Sequence, residues 1–427
     1  MIQSRAVLAT LALFAVAAHA QEVTVIKAGR LVDVISGKML ADQLIVIADD
    51  RIREVGPASA VKVPAGAGVI DLSDSTVLPG LVDTHTHLTA DPTQPPYHGF
   101  GNSLPRIALK GAANARATLL AGVTTVRDVG ATGFTDVALR DAINDGDVPG
   151  PRMFVSGPAL GITGGHCDEN LLAPEFKYES DGVFNGVEGV RLGVRRNVKY
   201  GADHIKYCGT GGVFSKGDTP GGQQYTVEEV AALIDEAHMH GRRVAVHAHG
   251  ASGIKVAIRA GVDTVEHASL IDDEGLAHAK KNGTFLSMDI YNTDYTQSEG
   301  PKRGELEEFL RKDREIGETQ RENFRKAVKA GIKLTMGTDA GVYPHGDNPK
   351  QLAVMVKYGM TPMQALQAAT IVGADAIGRK DEFGAIAPGL SADIIAVKGD
   401  PLADIHEMEH VRFVMRAGVV YPTGRYK

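Results

Sequence analysis

The sequence predicts a (β/α)8 TIM barrel flanked by a small β-sandwich domain built from both chain ends. Three observations predict it. Eight apolar, strand-like runs alternate with helical stretches between Val77 and Gly341. Short alternating segments divided by glycines occur at both ends of the chain. The carboxyl ends of the eight runs collect histidine, lysine and aspartate, where core packing would use Val, Ile and Leu. A doubly wound open sheet fits less well, because no G-x-G-x-x-G follows the first run.

Taken in order, residues 1–20 read as a signal peptide. Arg5 precedes the apolar stretch Ala6–Ala18, and Ala18-His19-Ala20 has the small-x-small pattern of a cleavage site. That stretch is too short to cross roughly 30 Å of hydrocarbon and no second one follows, so no membrane span is expected. The mature protein is expected to be exported, as a periplasmic or secreted protein. The segments VTVIKAGRLVD and DQLIVIADDRIREVG, and near the other end GAIAPGLSADIIAVKGD and HVRFVMRAGVVYP, predict a composite β-sandwich from residues 21–78 and 384–427.

Between them, residues 79–383 form the barrel. Its strands are read in VLPGLVDTH, GVTTVRDVG, PRMFVSGPA, ADHIKYCGT, RRVAVHAHG, GVDTVEHAS, GTFLSMDIY and KLTMGTDAG. In TVEEVAALIDEAHMHG, Thr226 and Glu229 make a capping box and Gly241 stops the helix. The run Lys302 to Lys326 reads as one long charged helix with an exposed face.

The composition, 43% hydrophobic and 23% charged over 427 residues, supports a large core. A formal charge of −7 with no basic run argues against nucleic acid and favours a small-molecule partner. Cys167 and Cys208 are too few for a disulfide framework; one disulfide between them is the alternative in an exported protein, and the preferred reading is free, buried thiols.

The chemistry lies at the strand ends. His85 and His87 in LVDTHTHLTA are two apart on a strand, so both rings face one side and reach one ion. The fourth run presents Lys206, the fifth His247 and His249, the sixth His267 and the eighth Asp339. An ammonium group has no lone pair, so Lys206 joins a metal site only after reaction with carbon dioxide makes it a carbamate. The competing reading is a salt bridge from Lys206 to Asp203 or Asp339.

With these motifs collected, the chain resembles the amidohydrolase superfamily over nearly its whole mature length, from GRLVDVISGK through VLPGLVDTHTHL to PGLSADIIAVKGDPLADI. GITGGH, IKYCGTGGV and TDAGVYPHGDN are similar to the metal-dependent Xaa-Pro or Xaa-Arg dipeptidase-like carboxypeptidases, a group that includes ochratoxin-hydrolysing amidohydrolases. The resemblance implies two divalent metal ions, most simply zinc, with manganese or cobalt as alternatives. It places His85, His87 and Asp339 on the first metal, His247 and His267 on the second, and N6-carboxylysine at Lys206 between them. It also implies a homo-oligomer, such as an octamer, and an amide or dipeptide substrate with a free terminal carboxylate.

Two cations sharing a water lower its pKa towards neutrality, and Asp339 is the expected general base. His166, closing a Gly-rich loop, is an expected oxyanion donor or substrate contact. Tyr225, His249 and Arg127 complete the expected substrate-binding set, with Asp128 beside Arg127 offering that residue a structural role instead. Ser215 has no histidine partner in the sequence and reads as a loop residue. Loops 91–105, 167–186 and 291–306 are expected to shape the pocket. A cyclic-amide hydrolase or mononuclear deaminase, imidazolonepropionase-like, is the alternative, and a binding protein that has kept the barrel is the non-enzymatic one.

Overall fold

The computed structural model describes residues 23–423 apart from Pro95, so the expected signal peptide lies outside the described residues. The chain opens with β1 (Val23–Asp33), β2 (Lys38–Ala48), β3 (Arg51–Pro57) and β4 (Gly68–Pro79). It ends with β13 (Ile394–Val397), β14 (Phe413–Arg416) and β15 (Val419–Tyr421). These seven strands make one sheet in the order β15-β14-β13-β4-β1-β2-β3. The join between the two chain ends is the antiparallel pairing of β13 with β4, where Ile395 faces Leu78. Strand alternation turns Ile26, Ile45, Ile47, Val77, Ile394 and Phe413 to one buried core.

The barrel follows from β5 (Leu81–Thr86), β6 (Val123–Asp128), β7 (Arg152–Val155), β8 (Ile205–Cys208), β9 (Val244–Gly250), β10 (Thr264–Leu270), β11 (Phe285–Ser287) and β12 (Leu334–Thr335). All are parallel to their neighbours, β5 to β7 in one ladder and β8 to β12 in another. Two single bridges close the ring, Leu160 to Tyr207 between β7 and β8, and Thr86 to Ala340 between β5 and the chain after β12. Parallel strands put all eight carboxyl ends on one rim. The predicted capping box is present, with Thr226 accepting from the Glu229 amide at the start of the helix Val227–Met239. No helix among the described residues is long and apolar enough to cross a membrane.

Two expectations are corrected. The charged run does not form one exposed helix: it breaks at Gly304, whose φ of 77° is left-handed, between the helices Asn292–Arg303 and Glu307–Ala330. The second helix buries Phe309, Ile316 and Phe324 together with Lys312 and Gln320, so its charge pattern hides a face with polar residues pointing inward. Cys167 and Cys208 are not free thiols but a disulfide, with Cα atoms 5.9 Å apart. Their 41-residue separation concealed this, because the loop after β7 folds back over the end of its neighbour β8.

Closing a loop of this length restricts the unfolded chain by about 4 kcal/mol. A Cys167→Ser/Cys208→Ser variant is therefore expected to melt several degrees below the native protein. Coincident melting curves under oxidising conditions would show that the bond contributes no stability.

Candidate active site

Barrel register brings the strand-end residues to one wall. Ring centroids lie 5.5 Å apart for His85 and His87, 4.9 Å for His85 and His267, and 4.5 Å for His247 and His267. Asp339 Oδ1 is 3.3 Å from His85 Nε2 and 3.4 Å from His87 Nε2. The donor atoms of His85, His87 and Asp339 fall within 4.8 Å of one another, as do those of His247, His249 and His267. Lys206, the second residue of β8, lines the same cavity, of about 800 Å³.

The backbone makes this convergence possible. Along β10, alternation gives Thr264 and Glu266 one face, where both bond Arg127, and would send His267 to the other. Left-handed φ values of 66° at His267 and 47° at Ala268 break the alternation there and bring the His267 ring to the site. Asp339 is left-handed too, at 54°. Non-glycine residues held in this region cost stability, and their clustering at one site points to function.

The hydrogen bonds set the imidazole tautomers. His85 Nδ1 donates to Glu266 at 3.0 Å, His87 Nδ1 to the Gly130 carbonyl at 2.9 Å and His267 Nδ1 to Asp289 at 2.9 Å. Each acceptor lacks a proton to give, so in the neutral ring Nε2 keeps its lone pair for a cation. His247 Nε2 is buried without a hydrogen-bond partner. An orphaned buried nitrogen on a ring beside the imidazoles of His166, His249 and His267 is the environment a metal ligand requires, so the residues present fit divalent cations.

Electrostatics agree with that fit. Burial pushes the Lys206 amine down to about 8, against the opposing pull of Glu266 and Asp339. Asp203, its rival partner, is bound instead by Arg140 at 2.9 Å, and the described residues give Lys206 no ion pair. Burial and Lys206 disfavour a proton on His85, yet Asp339 and Glu266 outweigh them and raise it to about 9. A cation between His85 and Asp339 would take the place of that proton. Although burial alone would raise it, Asp339 is held well below the usual carboxylate range by His85 and His87.

The expected substrate residues divide. His166 and His249 line the cavity. His249 Nδ1 sits 2.8 Å from Ser269 Oγ, and burial pushes the ring well below the usual histidine range. Burial likewise lowers His166, to about 4. Arg127 lies beneath the wall at 3% exposure, and its guanidinium is committed to Glu266, Thr264 and the Thr84 carbonyl. It braces the carboxylate that holds His85 and does not reach the cavity. Tyr225 is 1% exposed, and its hydroxyl donates to the Phe184 carbonyl, so it packs a loop and touches no substrate space. Ser215 does have a histidine partner, His166, at 2.7 Å.

Three residues of the site escaped the sequence. Glu266 was visible only as the neighbour of His267, Asp289 sits just beyond β11 in the run GTFLSMDIY, and Asn292 carried no signal. Asn292 Nδ2 donates to both Asp289 and Asp339, at 2.5 and 3.1 Å.

Comparison with known proteins points the same way. Residues 76–421 match the model of the Amidohydrolase family. The chain is 32% identical over 430 residues to an ochratoxinase of Aspergillus niger, covering 94% of this chain and 87% of the relative. Among solved structures, a Xaa-Pro dipeptidase with bound methionine in the active site matches at 37% identity and a TM-score of 0.88, covering 94% of this chain and 100% of that one. The A. niger ochratoxinase structure matches at 28% identity and a TM-score of 0.82, covering 94% and 96%.

Proposed function

The chain belongs to the amidohydrolase family, and from that premise we propose that it hydrolyses the amide bond to a C-terminal amino acid in a dipeptide, an N-acyl amino acid or an ochratoxin-like amide. The observation that carries this reading is the single wall of His85, His87, His247, His267, Lys206 and Asp339, with three of the imidazoles tied at Nδ1 so that Nε2 faces inward. His85, His87 and Asp339 would hold one divalent cation, His247 and His267 a second, and Lys206 as N6-carboxylysine would bridge them. Zinc suits these nitrogen and oxygen donors. Cations held there supply the charge that acidifies a water and polarises a scissile carbonyl.

The chain's own residues do the rest. Asp339 takes the proton of the attacking water and returns it to the leaving nitrogen, its other oxygen held by Asn292. Phe100, Leu104 and Phe214 give the cavity an apolar side, while Arg106, Lys110 and Arg303 give it cations to meet a substrate carboxylate. The likeness to an ochratoxinase and a Xaa-Pro dipeptidase supports the same substrate class. The cleavage pattern at Ala18–Ala20 and the Cys167–Cys208 disulfide support an exported enzyme.

The test is amino-acid release by zinc-loaded protein from a panel of dipeptides, N-acyl amino acids and ochratoxin A. Release from one class of substrate establishes the reading and names the pocket. Silence across the whole panel overturns it and favours a cyclic-amide hydrolase or deaminase. A second expectation concerns the metal alone: Asp289→Asn, which removes the anion orienting His267, weakens cation binding about 10–100-fold in a chelator competition. Unaltered competition would mean that His267 is not a ligand.

A further inference from the structure

The Cys167–Cys208 disulfide stands in the wall of the cavity, since both cysteines line it. Its two ends are placed at the site itself. Cys167 follows His166 directly, and Cys208 closes β8 two positions after Lys206, paired in register with His247 of β9. The bond therefore joins the loop after β7 to strands that carry the proposed metal ligands, beside the stacking of His166 on His247 at 4.0 Å. Gly161 leaves room for it, because a Cβ there would lie 2.6 Å from that of Cys167.

The loop has little else to hold its shape. Its neck is closed by the Gly161 amide donating to the Gly182 carbonyl at 3.0 Å and the Phe184 amide donating to the Gly161 carbonyl at 2.9 Å. Beyond the neck every residue from His166 to Asp181 is half-buried or exposed, with Phe176 71% and Tyr178 53% exposed, so the loop buries little apolar surface. Its tip is tied to the barrel by the His166 amide donating to Gln224 at 3.1 Å, by His166 Nδ1 beside Ser215 Oγ at 2.7 Å, and by the disulfide. Hydrogen bonds of this kind are worth little net against water; the covalent tie is the strong one. The same loop gives the cavity His166, Glu169, Leu172 and Tyr178. His247, His267 and Lys206 lie on strands instead, held by backbone ladders that do not need the bond.

We propose that this disulfide is a redox switch on substrate binding. Oxidised, it clamps the loop 161–184 as one wall of the substrate cavity; reduced, it frees that wall and slows turnover while the metal-facing residues stay in place. In the oxidation the two thiols give two electrons and two protons to a disulfide oxidant, which leaves as two thiols, and a dithiol reductant reverses the exchange. The cavity wall position gives a small thiol access to the bond. A reducing compartment would leave the loop free, so the exported enzyme proposed above gains its full activity once it reaches an oxidising one.

The slower turnover rests on the amide-hydrolase reading, whereas the release of the loop does not. Two readouts on the zinc-loaded full chain separate them, both taken well below the melting temperature and with zinc kept saturating. The reductant is a water-soluble phosphine, which takes the oxygen of one water and leaves two thiols. Hydrogen–deuterium exchange is expected to rise across residues 161–184 on reduction, with β8 to β10 as protected as before. Unchanged exchange in that loop overturns the proposal, and this readout needs no substrate. On the best substrate of the panel, reduction is expected to lower kcat/KM about 10–100-fold through displacement of the wall, with bound zinc unchanged and the native rate restored on reoxidation. Cys167→Ser/Cys208→Ser is expected to show the low rate from the start and no response to the phosphine. A rate that reduction leaves unaltered, or one that falls together with the zinc content, would show that the bond is no switch on substrate binding.

Discussion

Asp339→Asn is expected to reduce kcat by about 10³–10⁴-fold on the best substrate of the panel, measured at saturating zinc. The substitution keeps the shape of the side chain and removes its charge and with it the ability to accept a proton, the saturating zinc offsetting the weaker hold on the cation. The surroundings of Asp339 suit that proposed task. It sits one residue before Ala340, whose bridge to Thr86 closes the barrel, and its left-handed backbone aims Oδ1 between His85 and His87. The neighbouring imidazoles hold the carboxyl ionised despite its burial. An amide there would still accept from Asn292 through its oxygen, so the melting temperature is expected to stay close to native. Activity within tenfold of native would remove Asp339 as the proton carrier and leave it at most a ligand. Asn292→Ala serves as the internal comparison, with a smaller loss because it frees Asp339 without removing it.

The residues legible in the sequence share one property, that a local rule fixed their direction. His85 and His87 were readable because alternation on a strand is rigid, and Lys206 and Asp339 because each lies in or just after a run whose neighbours are strands of the same kind. The sandwich was readable from both ends because short alternating segments between glycines have few other uses. What stayed hidden depends on strand order. Glu266 is 181 positions from His85, and only the curvature of the barrel brings β10 opposite β5. Arg127 illustrates the same limit: its sequence neighbour Asp128 suggested a pair, but Asp128 caps the Leu88 amide while Arg127 crosses the barrel interior to Glu266.

The same limit applies to groups whose signal was present but ambiguous. Tyr225 stands before a well-formed helix cap, which fixes the helix start without saying which way a ring at the preceding position points. Lys312 belonged to a charge run that reads as solvated, yet the helix carrying it packs against β10 and turns this lysine inward. Periodicity reports that a helix has two faces. It does not report that a buried face carries an ion pair to a loop 94 residues away.

Lys206→Met should empty both metal positions together and abolish turnover. Methionine matches the length and volume of the lysine stem, so the cavity wall stays filled and the change isolates the terminal group. The lysine lies 3% exposed at the second position of β8, with no ion pair among the described residues to explain an ammonium there. Its amine, pushed down to about 8 by burial, is neutral often enough near physiological pH to add carbon dioxide. The product is an anion beside two groups of imidazoles, and cations bound to those groups would stabilise it. Metal and carbamate should therefore appear and vanish as a unit. Elemental analysis of zinc-loaded protein tests this, with two ions per chain expected for the native enzyme and none retained by Lys206→Met after dialysis. A 13C-bicarbonate label should add one carbamate resonance to the native protein that the variant lacks. If the variant instead keeps one tightly held ion, Lys206 bridges nothing, and a single-metal hydrolase acting through His85, His87 and Asp339 becomes the better account of the site.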